Sequence, residues 1–346
     1  MDTIALLKDL IRIPSFSREE KAACDFLERW MKAEGFPMHR HGNNLWTASA
    51  PPDGRPTILL NAHIDTVKPA SGYTRDPFDP VEADGRLYGL GSNDDGGSLV
   101  SLLAAYSQLI ARPQPCRFLL SATAEEEVSG AGGIESILPD IGPVDFGVIG
   151  EPTGMNMAVA EKGLMVLDCV SYGKSGHAAR NEGINAIYEA LEPVGWFRTH
   201  AFPRVSPFLG PVKMSVTQIQ AGTQHNVVPD RCTFVVDVRS NELYTNRELF
   251  AEIQRSVPCE VRARSTRLGS SSLPTDHPAV RRGLALGCKV FGSPTISNQT
   301  LVPFPTLKIG PGDSARSHAA DEYILPSEIR SAVEVYVKLL DGLNLR

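Results

Sequence analysis

The chain contains no apolar run near the ~20 residues that a membrane-spanning helix requires. Its first ten residues include Asp2, Lys8 and Asp9, where a secretory signal would have an apolar core. The six cysteines form no CxxC pair, which argues against a thiolate zinc site or a redox dithiol. We therefore expect a cytoplasmic protein whose cysteines are reduced and mostly buried.

An excess of positive charge is also lacking. The 346 residues include 40 acidic and 34 basic side chains, which gives a formal charge of −6. This balance does not attract a polyphosphate backbone, so we expect no nucleic-acid binding and, without apolar runs, no membrane binding. What is present is an ordinary globular composition, 42% hydrophobic and 21% charged, in a chain long enough for two domains.

Short apolar runs alternate with helical patterns in the first half of the chain. The apolar runs lie at 57–62, 116–123 and 146–150, and a helical pattern lies at 97–109. Such alternation predicts an α/β fold, in which helices flank a buried and mainly parallel sheet. Another helix is predicted from Ser17, because Ser17 and Glu20 have the spacing of a capping box and apolar residues recur at helical spacing as far as Gly35.

The pattern changes from about Gly163. Predicted elements there follow the order β-α-β-β-α-β, which is the ferredoxin-like order, and Thr245 and Glu248 form a capping box at the second helix. The α/β pattern then resumes with a strand at 304–309 and a closing helix at 327–343. We therefore predict one α/β domain from residues 1–162 and 272–346, with residues 163–271 as an inserted domain.

Histidines and carboxylates follow several of the predicted strands. His63 and Asp65 follow the run at 57–62, and the period of two puts them on one face if the strand continues. A metal-bound imidazole usually donates its second ring nitrogen to a neighbouring acceptor such as a carboxylate. The HxD pattern alone is weak, because a strand-end histidine beside a surface aspartate explains it better.

Further residues of this kind occupy similar positions. They are, in chain order, Asp94 within GLGSNDDGG, the run Glu125-Glu126-Glu127, Glu151 within GEPT, and His318 in a late polar loop. A capped turn or a solvated acidic loop explains each of them alone. Together they lie at strand ends, where open α/β sheets bind ligands, and a cation would offset the repulsion between adjacent glutamates.

Other catalytic motifs do not fit. Asp94 stands where a dinucleotide fingerprint needs its third glycine, and the chain has neither a GxSxG elbow nor an HExxH helix. In order and spacing, however, HxD, GLGSNDDGG, EEE, GEPT, GKSGHAA, NVVPD and a late SH resemble a known family over nearly the whole chain. This is the two-zinc amidohydrolase family of acetylornithine deacetylase, succinyl-diaminopimelate desuccinylase, aminoacylase and related carboxypeptidases.

The resemblance implies a fold and a metal centre. It implies a zinc-peptidase-like α/β domain, formed by 1–162 and 272–346, and a lid and dimerisation domain at 163–271. It also implies two divalent ions, with zinc as the first choice and cobalt or manganese as alternatives, since imidazole and carboxylate donors suit all three metals. The implied roles are Asp94 as the bridging carboxylate, His63 and Glu151 on one ion, Glu127 and His318 on the other, Asp65 orienting His63, and Glu126 as general base.

The same resemblance assigns roles in the predicted lid. His177 in GKSGHAA matches a histidine that reaches the active site of the other subunit and stabilises the oxyanion, which would make a homodimer part of catalysis. Asn226 in NVVPD and Arg239 match positions linked with substrate. A planar arginine suits an α-carboxylate, but the alternative for Arg239 is an ordinary surface ion pair.

One position departs from the family pattern. Relatives usually have a lysine two residues after the bridging aspartate, where this chain has Gly96, and Asp95 adds negative charge beside it. That lysine is not a ligand in the family, so we expect metal binding to survive.

The segment at 310–323 is most similar to the acetylornithine deacetylase branch. We therefore expect a metal-dependent deacylase that releases ornithine from an N-acyl-L-ornithine in arginine biosynthesis. The acyl group is acetyl or succinyl, and the second carboxylate of a succinyl group could bind Arg316, Arg180 or Lys174. The alternatives are a dipeptidase or carboxypeptidase, an acyl-lysine or succinyl-diaminopimelate deacylase, and a metal-holding scaffold without catalysis.

Overall fold

A computed structural model describes residues 1–180 and 182–345. Its helices are α1 (Thr3–Ile11), α2 (Lys21–Ala33), α3 (Gly97–Ile110), α4 (Ile134–Ile141), α5 (Ala186–Thr199), α6 (Asn246–Ser256), α7 (Pro278–Ala285) and α8 (Pro326–Leu340). Its strands are β1 (His39–His41), β2 (Asn44–Ala48), β3 (Thr57–His63), β4 (Val81–Ala83), β5 (Arg86–Tyr88), β6 (Arg117–Thr123), β7 (Phe146–Ile149), β8 (Met157–Glu161), β9 (Met165–Tyr172), β10 (Gly176–His177), β11 (Lys213–Ala221), β12 (Val227–Val228), β13 (Arg231–Arg239), β14 (Glu260–Ala263), β15 (Ser271–Ser272), β16 (Val290–Ser293), β17 (Thr306–Lys308) and β18 (Tyr323–Ile324).

The chain divides into two compact units. The first contains Met1–Val159, Leu273–Phe291 and the chain from Ser297 onward, and the second contains Ala160–Ser272 and Gly292–Ile296. The chain passes between the units at four points, two of which lie within strands β8 and β16. Among the residues described, no helix is both long enough and apolar enough to cross a membrane.

The first unit is built around a twisted sheet with the strand order β1-β2-β6-β3-β7-β17-β8. The four central strands, β6, β3, β7 and β17, are parallel, and the outer strands pair antiparallel with their neighbours. Strands β3 and β6 are buried along their whole length, which explains their nearly continuous apolar sequence. The predicted α/β fold with a mainly parallel sheet and flanking helices is confirmed.

The strand register brings the candidate ligands to one edge of this sheet. Asn61 on β3 lies opposite Ser121 on β6 and Ile149 on β7. Side chains alternate along a strand, so two residues further on His63 points to the same face as Asn61. Glu151 follows Ile149 by the same two residues. Parallel pairing therefore places both at the carboxyl ends of adjacent strands.

Two predicted helix boundaries are wrong. Helix α2 begins at Lys21, and Glu20 precedes it without a side-chain cap, because the Ser17 hydroxyl donates to the buried Asp65 carboxylate at 2.7 Å instead of capping a helix. A bond to a buried ionised acceptor is stronger than a bond to a neutral helix amide. Helix α8 ends at Leu340 rather than at 343, since the chain turns through Gly342 at a φ of 63°.

The second unit has a four-stranded antiparallel sheet in the order β11-β13-β9-β14. Helices α5 and α6 contribute Ala190 and Leu249 to its separate apolar core, which also contains Phe234 of β13. The chain order β-α-β-β-α-β with this strand arrangement is the ferredoxin-like topology. The Thr245 to Glu248 capping box at the start of α6 is present as predicted.

Candidate metal centre

The candidate ligands of the first unit converge beyond the carboxyl ends of β3, β6 and β7. His63 ends β3, Glu126 and Glu127 follow β6, Glu151 follows β7, Asp94 lies in the turn before α3, and His318 lies in the loop after β17. The sequence separates His63 from His318 by more than 250 positions, so only the parallel sheet brings them together.

Asp94 lies between the two histidines. His63 Nε2 is 3.1 Å from Asp94 Oδ1, and His318 Nε2 is 3.6 Å from Asp94 Oδ2. His318 Nε2 is also 3.0 Å from Glu127 Oε2. A carboxylate whose two oxygens face two different imidazoles has the arrangement that a bridging ligand requires.

Ligand atoms from this cluster fall into two groups that could each hold an ion. One contains His63, Glu126 and Glu151, the other contains His63, Asp94 and Glu127, and within each group the atoms lie within 4.8 Å of one another. This grouping differs from the predicted one, in which Glu126 is a base rather than a ligand. The Oε2 atom of Glu126 is 4.0 Å from His63 Nε2, which leaves Glu126 at the edge of the cluster.

The electrostatics of the cluster call for a cation. Burial raises the pKa of the Glu126 carboxyl well above its usual range, and the carboxylates of Glu127 and Asp94 raise it further. Burial likewise raises the pKa of Glu151, with Glu126 as the next cause. Divalent ions would relieve both the desolvation and the repulsion, and these imidazole and carboxylate donors suit zinc, cobalt or manganese. The residues present therefore fit a two-metal centre.

Asp65 supports this cluster differently from the prediction. The Nδ1 atom of His63 lies 2.8 Å from the backbone carbonyl oxygen of Asp65 and 3.5 Å from its carboxylate, so the main chain orients the imidazole. The Asp65 carboxylate accepts the backbone amides of Glu126 at 3.0 Å and Glu127 at 3.1 Å, as well as the Ser17 hydroxyl. Burial would raise the pKa of Asp65, but His63 and these donors outweigh it and lower the pKa. Asp65 thus fixes the glutamate segment against the end of β3.

The three consecutive glutamates point in different directions. Glu125 has a left-handed φ of 56° and turns its carboxylate towards Gly130 and Gly132, whose amide donates to it at 3.3 Å. A Cβ atom at Gly130 would overlap the Glu125 carboxylate, so a larger residue there would force that carboxylate to move. Glu126 and Glu127 consequently face the cluster without Glu125.

Position 96 has no room for a side chain. A Cβ atom on Gly96 would lie 2.5 Å from the Gly91 carbonyl oxygen and 2.6 Å from Leu7 Cδ1 of α1. The departure from the family pattern is therefore part of the packing of α1 against the Asp94 turn. The neighbouring Asp95 is buried, and burial raises its pKa to about 7, which reduces the negative charge that it adds.

The predicted lid residues lie in the second unit. His177 of β10 pairs with Val227 of β12, and the Ala178 amide donates to the Asn226 carbonyl oxygen at 3.1 Å. His177 and Asn226 are thus neighbours at one two-stranded antiparallel sheet, and both are exposed. The sequence suggested no such pairing, because 49 positions separate them.

Two predicted substrate-binding arginines are already engaged. Arg239 lies at the end of β13 that is farther along the chain from β12, and it forms a two-point ion pair with Asp237 at 2.8 and 3.1 Å, as the surface-pair alternative expects. In the first unit, Arg316 donates to both carboxylate oxygens of Glu328 at 2.8 and 3.1 Å. A substrate carboxylate would have to compete with an acidic side chain at each arginine.

Three supporting residues were missed at the level of sequence. The capping-box spacing assigns Ser17 to a helix cap, and no sequence pattern gives Asn93 or Glu322 a role. Asn93 and Glu322 are both buried, and each hydrogen bonds across the site to the loop that carries the other. Their burial marks them as supporting residues, but the pattern of apolar and polar residues along the sequence does not show that burial.

Comparison with known proteins agrees with this geometry. The model of peptidase family M20/M25/M40 matches residues 59–342. The chain is 29% identical to acetylornithine deacetylase of Proteus mirabilis (strain HI4320), with 99% of this chain and 97% of that protein covered. It is 24% identical to succinyl-diaminopimelate desuccinylase of Acidiphilium cryptum (strain JF-5), with 98% of each covered.

A solved structure shares the fold. The YXEP protein of Bacillus subtilis, described as a dinuclear metal-binding peptidase of the M20 family, superposes with a TM-score of 0.75 at 17% identity. The match covers 99% of this chain and 98% of that one. At this identity the likeness concerns the fold.

Proposed function

This chain belongs to peptidase family M20/M25/M40, whose members hydrolyse amides, and on that basis we propose that it is a cytoplasmic deacylase of N-acyl-L-ornithine in arginine biosynthesis. The reaction adds water across the amide, breaks the C–N bond, and releases ornithine and the free acid of the acyl group. The observation that carries the proposal is the full-length likeness to an acetylornithine deacetylase, with 99% of this chain covered.

We propose that the cluster of the first unit holds two divalent ions and that the metal is zinc. Asp94 would bridge them, with His63 and Glu151 on one side and Glu127 and His318 on the other. Bound divalent ions would polarise the scissile carbonyl and acidify water. The two carboxylate oxygens of Asp94 face the imidazoles of His63 and His318, which supports this assignment.

Glu126 is the proposed general base. Its buried carboxylate accepts a proton from the attacking water and donates it to the departing nitrogen. Because burial raises the pKa of Glu126, its protonated form is stable enough to serve as the acid in the second step. Its position at the edge of the cluster, with its backbone amide held by Asp65 at 3.0 Å, supports that role.

We also propose a homodimer through the second unit. Strand β11 is an edge strand of its sheet, with unpaired backbone groups on one side, and Ile219 on it is 55% exposed. Beside it, α5 exposes Ile187, Tyr188 and Leu191. A second copy that pairs its own β11 and α5 would cover this apolar surface. His177 would then serve the partner's reaction as an oxyanion donor, with Asn226 and Arg239 contacting substrate.

The test is the initial rate of ornithine release from N-acetyl-L-ornithine and N-succinyl-L-ornithine, measured side by side with added zinc or cobalt. EDTA should abolish turnover, and the ratio of the two kcat/KM values identifies the acyl group. If Arg316 binds the second carboxylate of a succinyl group, its guanidinium must first leave Glu328. Turnover of neither substrate would contradict the proposal.

The likeness to a desuccinylase and the membership of a peptidase family make two rival substrates worth the same assay. N-succinyl-diaminopimelate and a dipeptide panel, under identical metal conditions, separate them from the ornithine derivatives. A metal-holding scaffold without catalysis would turn over none of these substrates.

A further inference from the structure

The two loops that carry Asp94 and His318 are joined by a buried carboxylate. Glu322, four residues after His318, accepts the backbone amides of Asn93 at 2.8 Å and Asp94 at 2.9 Å on Oε1 and the amide of Gly91 at 2.9 Å on Oε2. The side chain is 2% exposed. Three amides around one carboxylate fix the backbone from which the Asp94 side chain projects.

Asn93 makes the reciprocal connection. Its Nδ2 atom donates to the Asp313 carbonyl oxygen at 3.0 Å and to Ser317 Oγ at 3.1 Å, and its Oδ1 atom accepts the Asp313 amide at 3.1 Å. A Cβ atom at Gly312 would overlap Asn93 Oδ1, so the fit admits no larger residue there. Each loop therefore contributes one buried side chain that binds the backbone of the other loop.

This arrangement has an electrostatic cost. Glu322 is a second acidic residue buried beside the loop that carries Asp94, where burial disfavours its charged form. A carboxylate placed near Asp94 only to fill space would be replaced at less cost by an uncharged side chain. The three amides need two oxygens that both accept hydrogen bonds, which gives a reason for a carboxylate at this position.

We propose that Glu322 and Asn93 are a pair of positioning residues, a clamp that holds Asp94 opposite His318 and thereby sets how tightly the centre retains its metal ions. The inference rests on the proposed metal function. Neither side chain is assigned as a ligand, so the clamp acts through the backbone. A Gln at 322 has one oxygen and turns an NH₂ group towards at least one of the amides, which breaks the cradle without changing its size.

The experiment compares Glu322→Gln with Asp321→Asn. Asp321 is the neighbouring carboxylate, but it is only half-buried and accepts the Thr74 amide at 2.9 Å outside the cluster. For the zinc-loaded proteins, we would measure metal ions per chain after dialysis and the rate of metal loss to a chelator, and for the cobalt-loaded proteins the visible absorption spectrum. We expect Glu322→Gln to lose metal about 10 to 100 times faster than the parent and to change the cobalt spectrum, and Asp321→Asn to match the parent.

Parent-like metal release and spectrum in Glu322→Gln would overturn the clamp. Asn93→Ala is the second variant, and we expect the double variant to be no worse than the more impaired single one, because each change opens the same connection. Additive effects would contradict a shared clamp. Hydrogen exchange in the metal-loaded parent gives an independent check, since the amides of Gly91, Asn93 and Asp94 should be strongly protected and rapid exchange there would also contradict it. A parent that binds no metal would contradict the proposed function instead.

Discussion

The two units hold their candidate functional residues in different ways. In the first unit, His63 is buried, and the glutamate segment beside it is fixed by Asp65. In the second unit, His177 and Asn226 are exposed at the short two-stranded sheet formed by β10 and β12. A buried acidic cluster needs its supporting hydrogen bonds built into the fold, because misplaced buried charges are costly. An exposed histidine has no such need and acquires a role only when another molecule meets it.

The largest effect is expected from Glu126→Gln. This change removes the proposed base, keeps the size of the side chain, and should lower kcat by about 10² to 10⁴ while both metal ions stay bound. The measurement is kcat with metal content determined on the same sample. It tests whether the first unit performs the chemistry as well as holding metal.

Glu125→Gln is the matched control for that variant. Glu125 is the preceding residue, but it turns towards Gly130 and Gly132, so activity should stay within a few-fold of the parent. If Glu126→Gln also stays within a few-fold, the base is another residue. If both variants are equally impaired, the segment tolerates no change and the assignment of Glu126 loses its support.

A mixed dimer tests the role of the second unit. His177→Ala should lower kcat by about 10² to 10³, the usual effect of losing one oxyanion donor. In a heterodimer of one His177→Ala subunit and one Glu126→Gln subunit, one of the two sites would have both residues intact. Activity near half that of the parent dimer is therefore expected.

His225→Ala provides the control on the same unit, because His225 is exposed and matches no functional position. It should leave kcat near that of the parent. A purified heterodimer without any recovered activity would remove the shared-site proposal. The contrast between a first unit that fixes its own site residues and a second unit whose His177 acts only in the dimer would then fail.

The sequence predicted the fold and the gathering of the candidate ligands for a physical reason. Strand ends follow from apolar runs, and parallel strands bring their carboxyl ends to one edge, so the placement of His63 and Glu151 follows from local patterns. The supporting residues do not follow. Ser17 contacts Asp65 across 48 positions and Glu322 contacts Asp94 across 228, and neither contact leaves a periodic pattern. A capping-box spacing at Ser17 even indicated a different use of the same hydroxyl.

Asp65→Asn should have a smaller effect than the two changes above. The carboxamide cannot accept the amides of both Glu126 and Glu127, while the backbone carbonyl that contacts His63 remains. We expect metal affinity to fall about 10- to 100-fold, measured by competition with a chelator. Asp53→Asn, at an exposed ion pair with Arg55, should leave the affinity unchanged. Unchanged affinity in Asp65→Asn would show that the backbone carbonyl at this position, which contacts His63, is sufficient for metal binding.

The smallest effect concerns the metal-free protein and its stability against pH. Burial raises the pKa of Asp95 to about 7 and of Glu322 to about 8, and the hydrogen bond with Glu127 raises the pKa of His318 to about 9. Each pKa lies above its value in an unfolded chain, so between about pH 6 and 9 the folded form binds protons that the unfolded form has released. The free energy of unfolding must then fall as the pH rises, and Tm with EDTA should drop by several degrees over this range. Added zinc should reverse the drop, because the ions replace the lost protons as counter-charge. A metal-free Tm that stays level or increases from pH 6 to 9 would contradict this expectation. The difference between the first unit, with its buried acidic cluster, and the second unit would then have another cause.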